Sequence, residues 1–293
     1  MTNQRTVLYL PGSGTGLDAM NAAVAAGTIT HVLVCLFHLG YDDEHQKTGP
    51  YVHLNNDTPD NKMFGPLWQA VAAWQQAGVK VMGSLGGGGV GDYTNLFSAY
   101  PTFYPLLLGT LQTYNLDGLD LDIEESTDVV TTANVQALIA DLRQTLGGRS
   151  GGFLITGAPV ASALTGGGSV SANVDWLSLL PLVDFYNLQF YGWGNLAGKG
   201  SPWSPNYDTV ITAVGADNTS KMVAGTLTNP STGNGWLPVV DVVSIVGELV
   251  TTYPDFGGVM GWNYPNAENA SGDVDPAGWC AAITGAQRPP PRP

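Results

Sequence analysis

Asp117-Gly118-Leu119-Asp120-Leu121-Asp122-Ile123-Glu124 carries three acids, Asp120, Asp122 and Glu124, at alternate positions. Alternate side chains of a β-strand share a face, so these three project together while Leu119, Leu121 and Ile123 take the other side. Buried carboxylates are costly unless they meet water, a ligand or hydrogen-bond donors. In a chain with only 12% charged residues, the pattern reads as a strand whose acidic face lines a site. Asp117 has the opposite parity and lies near the strand's start, which predicts a structural role.

Outward from this strand, short β-rich apolar runs alternate with helix-length segments. The runs are Thr6–Leu10, His31–His38, Val79–Leu85, Leu116–Glu124, Phe153–Ala158, Val183–Tyr191, Lys221–Leu227 and Gly257–Trp262. Helical patterns between them include Pro66–Gly78, Leu96–Tyr114, Thr131–Leu146 and Pro238–Tyr253. Strand–helix repetition implies a parallel sheet with crossover helices. Eight repeats at this length are the count and size of a closed barrel. The predicted class is therefore α/β, a single-domain (β/α)8 TIM barrel over residues 1–286, with 287–293 as a Pro-rich tail or linker remnant. An open doubly wound sheet is the competing fold, but no Gly-x-Gly-x-x-Gly follows the first run. In such barrels the active site lies at the C-terminal ends of the strands. The acids end the fourth run. Ser84-Leu-Gly-Gly87 ends the third, Gln189-Phe-Tyr191 the sixth and Trp262-Asn263-Tyr264 the eighth, so all of them converge on one mouth.

Composition narrows the partners. A formal net charge of -14 over 293 residues disfavours nucleic acid and anionic membranes and suits a neutral substrate such as a sugar. No apolar stretch is long enough to span a bilayer, and the opening residues do not form a signal peptide. Secretion is favoured nonetheless by the low lysine and arginine content and the loop-rich composition; a monomer is expected. Cys35 and Cys280 have no metal-type spacing, and whether they pair is open. His31, His38, His45 and His53 are scattered without ligand spacing, so no metal site is expected. Asn56, Asn218 and Asn269 begin Asn-x-Ser/Thr triplets, which also arise by chance.

Two neighbouring acids on one strand approach a substrate from the same side. Double displacement by an enzyme nucleophile needs carboxylates flanking the bond, and inversion needs them wider apart around a water. One-sided acids instead suit a substrate that brings its own nucleophile, such as a 2-acetamido group forming an oxazolinium ion. Glu124, outermost, would then protonate the leaving oxygen. Asp122 would hold the acetamido N–H and balance positive charge, and Asp120, deeper, would share a proton or hydrogen bond with Asp122. Three close carboxylates cannot all ionise cheaply, so at least one pKa should rise. No cofactor is needed.

Asp117-x-x-Asp120-x-Asp122-x-Glu124 resembles the catalytic motif of family 18 glycoside hydrolases, and Ser84-x-Gly86-Gly87 resembles their second motif. Gln189-Phe-Tyr191 is similar to their sixth-strand site, and Trp262 stands where they carry an eighth-strand tryptophan. The resemblance implies the barrel, the substrate-assisted mechanism, a Tyr191 hydroxyl on the acetamido carbonyl and Trp262 as the sugar floor. Catalytic residues are thus expected at Asp120, Asp122, Glu124 and Tyr191, and substrate-binding ones at Gly86, Asn187, Gln189, Trp262 and Asn263. Within the family, Leu33-Val-Cys-Leu-Phe-His38, Val52-His-Leu-Asn55, Gln76-Ala-Gly-Val-Lys-Val-Met-Gly83, Ala158-Pro-Val-Ala-Ser-Ala-Leu164 and Gly257-Gly-Val-Met-Gly-Trp262 resemble fungal endo-β-N-acetylglucosaminidases of the Endo T type. Those enzymes tend to carry an acid where this chain has Asn263.

The implied activity is cleavage of the GlcNAc–GlcNAc core of N-glycans, with an N-glycoprotein as substrate. The alternative is an endochitinase acting on chito-oligosaccharides. A third reading, an inactive glycan- or protein-binding barrel, is disfavoured because Glu124 is present. Trp193, Trp203 and Trp236 follow the sixth and seventh runs, and each is either a further sugar platform or loop packing.

Overall fold

In the computed structural model, which describes residues 4–12, 16–41, 49–89, 91–198 and 204–288, all eight runs are strands of one sheet. They are β1 (Arg5–Pro11), β2 (His31–Tyr41), β4 (Lys80–Gly86), β5 (Gly118–Asp122), β6 (Leu154–Gly157), β7 (Phe185–Gln189), β8 (Met222–Leu227) and β9 (Gly258–Trp262). Neighbours pair in parallel throughout, and β1 pairs with both β9 and β2, which closes the sheet into a barrel. A ninth strand, β3 (Pro50–Leu54), is an antiparallel arm on the upper part of β2 that the run pattern does not predict. Its five residues, Pro-Tyr-Val-His-Leu, are too few and too mixed to show a period.

Helices α1 (Leu17–Ala25), α2 (Gly65–Gln76), α3 (Asp92–Ser98), α4 (Tyr100–Thr113), α5 (Thr132–Leu146), α6 (Trp176–Leu179), α7 (Tyr207–Val214), α8 (Val239–Thr252) and α9 (Pro276–Ala286) surround it. The single helix expected over Leu96–Tyr114 is two. Ala99 leaves the helical region, and Pro101, lacking an N–H, sits in the first turn of α4, where that loss costs nothing. The last helix closes onto the first strand: Gln287 Nε2 donates to Arg5 O at 2.8 Å, and Thr6 Oγ1 donates to Gln287 Oε1 at 2.7 Å. Helix α9 ends at Ala286, but the buried Gln287, placed by the sequence at the start of the tail, is tied to β1 by these bonds, and residues 289–293 lie outside the described residues.

Strand alternation produces two apolar layers. Leu8, Leu10, Val32, Val81, Leu119, Leu121 and Ile123 face outward and pack under the helices, where α5 contributes Val135, Leu138, Leu142 and Leu146. Each such fully buried aliphatic side chain contributes roughly 1.5–3 kcal/mol relative to exposure. Val7, Leu33, Cys35, Met82, Phe185, Val223 and Met260 face inward and fill the lower barrel. At its base the Arg5 guanidinium lies 4.4 Å from the centre of the Phe185 ring, and His31 meets the same ring edge-on. Burial, with Arg5 and Lys80 nearby, holds His31 down to about 3, so it is neutral. Cys35 lies in this inner layer and Cys280 on α9, and both are free thiols. The apolar filling stops half-way up, and the acids begin there.

Candidate active site

Register brings Asp120 between Ser84 on β4 and Thr156 on β6, each directly beside it in the sheet. Both hydroxyls donate to its carboxylate, Thr156 Oγ1 at 2.6 Å and Ser84 Oγ at 3.0 Å. Tyr9 Oη reaches across from β1 at 2.7 Å, and Asn187 Nδ2 from β7 at 3.2 Å. Asp120 has no exposed surface. Burial pushes its pKa up, and these four bonds oppose the push without cancelling it. Four neutral donors thus surround its carboxylate, and its charge is in turn one of the causes that raise the Asp122 pKa.

One level up, Asp122 and Glu124 share a single amide. Gln189 Nε2 donates to Asp122 Oδ1 at 3.1 Å, to Glu124 Oε1 at 3.2 Å and to Ala158 O at 2.9 Å. Burial, then the charges of Glu124 and Asp120, drive the Asp122 pKa well above the usual carboxylate range, and the Gln189 bond opposes them. The ladder of β5 ends at Asp122, so Glu124 stands just beyond the sheet, with its parity preserved. Asp117 lies at the other end, accepting from Val81 N at 2.8 Å and Gln75 Nε2 at 3.0 Å, as its parity requires of a structural residue.

Above these acids opens a cavity of about 180 Å³. Asp122, Glu124, Gln189 and Tyr191 form one wall, and Leu36, Gly87 and Gly88 form another. Trp262 and Tyr9 complete the lining, their rings edge-on with centres 5.5 Å apart. Burial and the nearby Asp122 and Glu124 charges raise the Tyr191 phenol far above its ordinary value, so its hydroxyl is held as a donor. Every carboxylate in the lining comes from the end of β5. The residues that match the second sequence motif explain the glycine wall. Gly86 has φ +100°, and a Cβ there would stand 2.3 Å from the carbonyl oxygen of Asp122. Gly87 N donates to that same oxygen at 2.8 Å.

The sequence profile described as glycosyl hydrolases family 18 matches residues 5–236. This chain belongs to that family. A fungal endo-β-N-acetylglucosaminidase of family 18 superposes with a TM-score of 0.80 at 33% identity, covering 98% of this chain and 99% of the other. The chitinase ChiC of Aspergillus fumigatus gives 0.78 at 32% identity, covering 97% and 100%. Chitinase 1 of Rhizopus niveus is 30% identical over 216 residues, 68% of this chain but 40% of its own length. The chain thus spans less than half of that curated relative.

Within this family 18 barrel, most sequence-predicted site residues converge, though not all at the cavity. Asp122, Glu124, Gln189, Tyr191 and Trp262 line it. Asp120 and Asn187 lie beneath, bonded to each other. Gly86 is not in the lining; it lets the backbone press against β5, and Gly87 and Gly88 face the cavity instead. Asn263 is outside the lining too: its backbone is left-handed, and its carbonyl accepts from Thr228 Oγ1 at 2.8 Å. Trp193 is 53% exposed beside a second hollow that shares Gln189 and Tyr191 with the first, and Trp236 is half-buried. Trp203 and His45 lie outside the described residues. Among those residues, no cluster of three or more His, Cys, Asp or Glu is arranged to hold a metal ion. Tyr9, Leu36 and Thr156 were missed by sequence reading. Tyr9 carried a usable signal, an inward parity at the end of the first strand, but nothing separated it from the apolar run around it.

Proposed function

We propose that this chain is a retaining endo-β-N-acetylglucosaminidase that hydrolyses the β-1,4 bond between the two GlcNAc residues of the N-glycan core. The observation that carries the chemistry is the one-sided pair: Asp122 and Glu124 leave one strand end and are bridged by one amide nitrogen, with no carboxylate facing them across the cavity among the described lining residues. Neither double displacement by the enzyme nor inversion around a water is served by that geometry. A sugar at the cleavage position supplies the nucleophile instead. Its 2-acetamido oxygen attacks the anomeric carbon while the glycosidic bond breaks and Glu124 protonates the departing oxygen. Asp122 accepts from the acetamido N–H and offsets the positive charge of the oxazolinium ion. Tyr191 donates to the acetamido oxygen and aligns it, and Trp262 supports the apolar face of the ring. Glu124 then takes a proton from water, which attacks the same carbon and restores the original configuration.

The 33% identity to a fungal endo-β-N-acetylglucosaminidase over nearly the whole of both chains supports the N-glycan reading. An endochitinase is the second reading, supported by the nearly equal match to the Aspergillus chitinase. Mass spectrometry after incubation with a high-mannose glycoprotein and, separately, with chitin oligomers separates them. Glycoprotein left with single GlcNAc stubs and intact chitin is the expected result; cut chitin with intact glycoprotein makes the chain a chitinase. Glu124→Gln should lower turnover of the cleaved substrate by about 10²–10⁴-fold, the usual contribution of a general acid. Full activity in that variant would remove Glu124 from the role.

A further inference from the structure

Glu125 follows the proposed acid directly and points the other way. It is 6% exposed, and its carboxylate faces the start of α3 rather than the cavity. Oε1 accepts from Tyr93 N at 2.9 Å, and Oε2 accepts from Thr94 N at 3.0 Å and Thr94 Oγ1 at 2.6 Å. The first N–H groups of a helix need acceptors, and Gly91, which precedes α3, has no side chain to offer one. The missing cap is supplied from the catalytic strand.

The same few residues of α3 grip the neighbouring strands. Asp92 accepts from Leu39 N at 2.7 Å and pairs with His38 Nδ1 at 2.9 Å, and Tyr93 Oη donates to Leu85 O at 2.9 Å. Between Leu85 and Asp92 runs the glycine segment whose Gly87 and Gly88 face the cavity. A Cβ on Gly88 would lie 3.6 Å from Glu124 Oε2, so Gly88 faces this carboxylate and, lacking a side chain, leaves the space beside it open. One end of the segment is fixed by Gly87 N on Asp122 O, and the other by Glu125 on α3.

Resting on the assignment of Glu124 as the acid, we propose that Glu125 is a positioning residue that, anchored on α3, fixes the backbone from which Glu124 reaches into the cavity. Glu124 and Glu125 leave the backbone in opposite directions, so three bonds on one limit the swing of the other. Misplacement of a reacting group by about 1 Å can cost on the order of 10²-fold in rate.

The test compares wild type, Glu125→Ala, Glu125→Gln and Glu124→Gln on two substrates. One is chitopentaose or the high-mannose glycoprotein, whichever wild type cuts; the other is an aryl β-chitobioside whose acidic phenol leaves without protonation. Glu125→Ala should lower kcat on the natural substrate about 10- to 100-fold, with less than tenfold loss on the aryl glycoside. KM should stay within about twofold of wild type, and Glu125→Gln, which keeps the reach and an acceptor oxygen, should recover most of kcat. Wild-type kcat in Glu125→Ala below its melting temperature, or equal losses on both substrates, overturns the proposal. Should that variant fail to fold, Thr94→Val removes one of the three bonds and should give a loss of about threefold with the same leaving-group dependence; no loss there overturns it equally. If Glu124→Gln keeps its turnover, the acid assignment itself fails, and that outcome is distinct from an inactive Glu124→Gln beside an intact Glu125→Ala.

Discussion

Asp122 sits at 5% exposure between two other carboxyls, with one amide bond to offset them. Its raised pKa sets a direction for stability. Between the ordinary carboxylate range and the raised value, the folded chain holds a proton that the unfolded chain has released, so stability falls as pH rises through that window. Asp122→Asn removes the penalty. Its melting temperature should exceed that of wild type near pH 7 by about 2–4 °C, the effect of roughly 1 kcal/mol in a domain of this size, and the gap should close toward pH 4. Activity should be lost at the same time, because the carboxylate that offsets the oxazolinium charge is gone. Differential scanning fluorimetry across pH checks this; a variant less stable than wild type at pH 7 would show that the carboxylate stabilises the fold. The acids were legible from parity alone, since side-chain direction in a strand needs no tertiary information. Glu125 was not. The same parity sends it away from the site, and its role depends on where α3 lands.

At the scale of elements, the fold was legible because each strand–helix unit buries its own apolar faces, and eight such units leave few alternatives. What stayed hidden was either short or dependent on distant backbone. The arm β3 has five residues and takes its register from β2, while the break between α3 and α4 turns on one proline. Glycine spacing marked Ser84–Gly87 as special without saying which glycine meets the cavity. Positive φ and a carbonyl 2.3 Å from the virtual Cβ make Gly86 the position where a side chain is least tolerated. Gly86→Ala should cost at least about 1–2 kcal/mol from the left-handed backbone alone, with more from forcing β4 away from Asp122. Its midpoint in urea should fall, and any folded fraction should show reduced kcat. An unchanged midpoint would mean that the turn relaxes to negative φ.

Across the whole molecule, the barrel is closed by strands from opposite ends of the chain, and the apolar layers inside and outside it are separated by the sheet itself. Both cysteines are buried and unpaired, so closure relies on packing and hydrogen bonds rather than a covalent tie. One carboxylate reports on that closure. Asp120 collects donors from β1, β4, β6 and β7, at sequence separations of 111, 36, 36 and 67 residues. Long-range contacts form only after loop entropy has been lost, so a chain with half of its strands assembled would hold this buried acid with part of its donor set absent. The centre of the proposed active site is therefore expected to form late in folding. Asp120→Ala should speed unfolding while leaving the refolding rate within about twofold, the signature of contacts made after the barrier. A slowed refolding limb in stopped-flow measurements would place the four-strand knot early instead. In kinetic terms, a partly folded chain has no competent site to expose: catalytic capacity arrives with the last strands, and an incomplete barrel is silent.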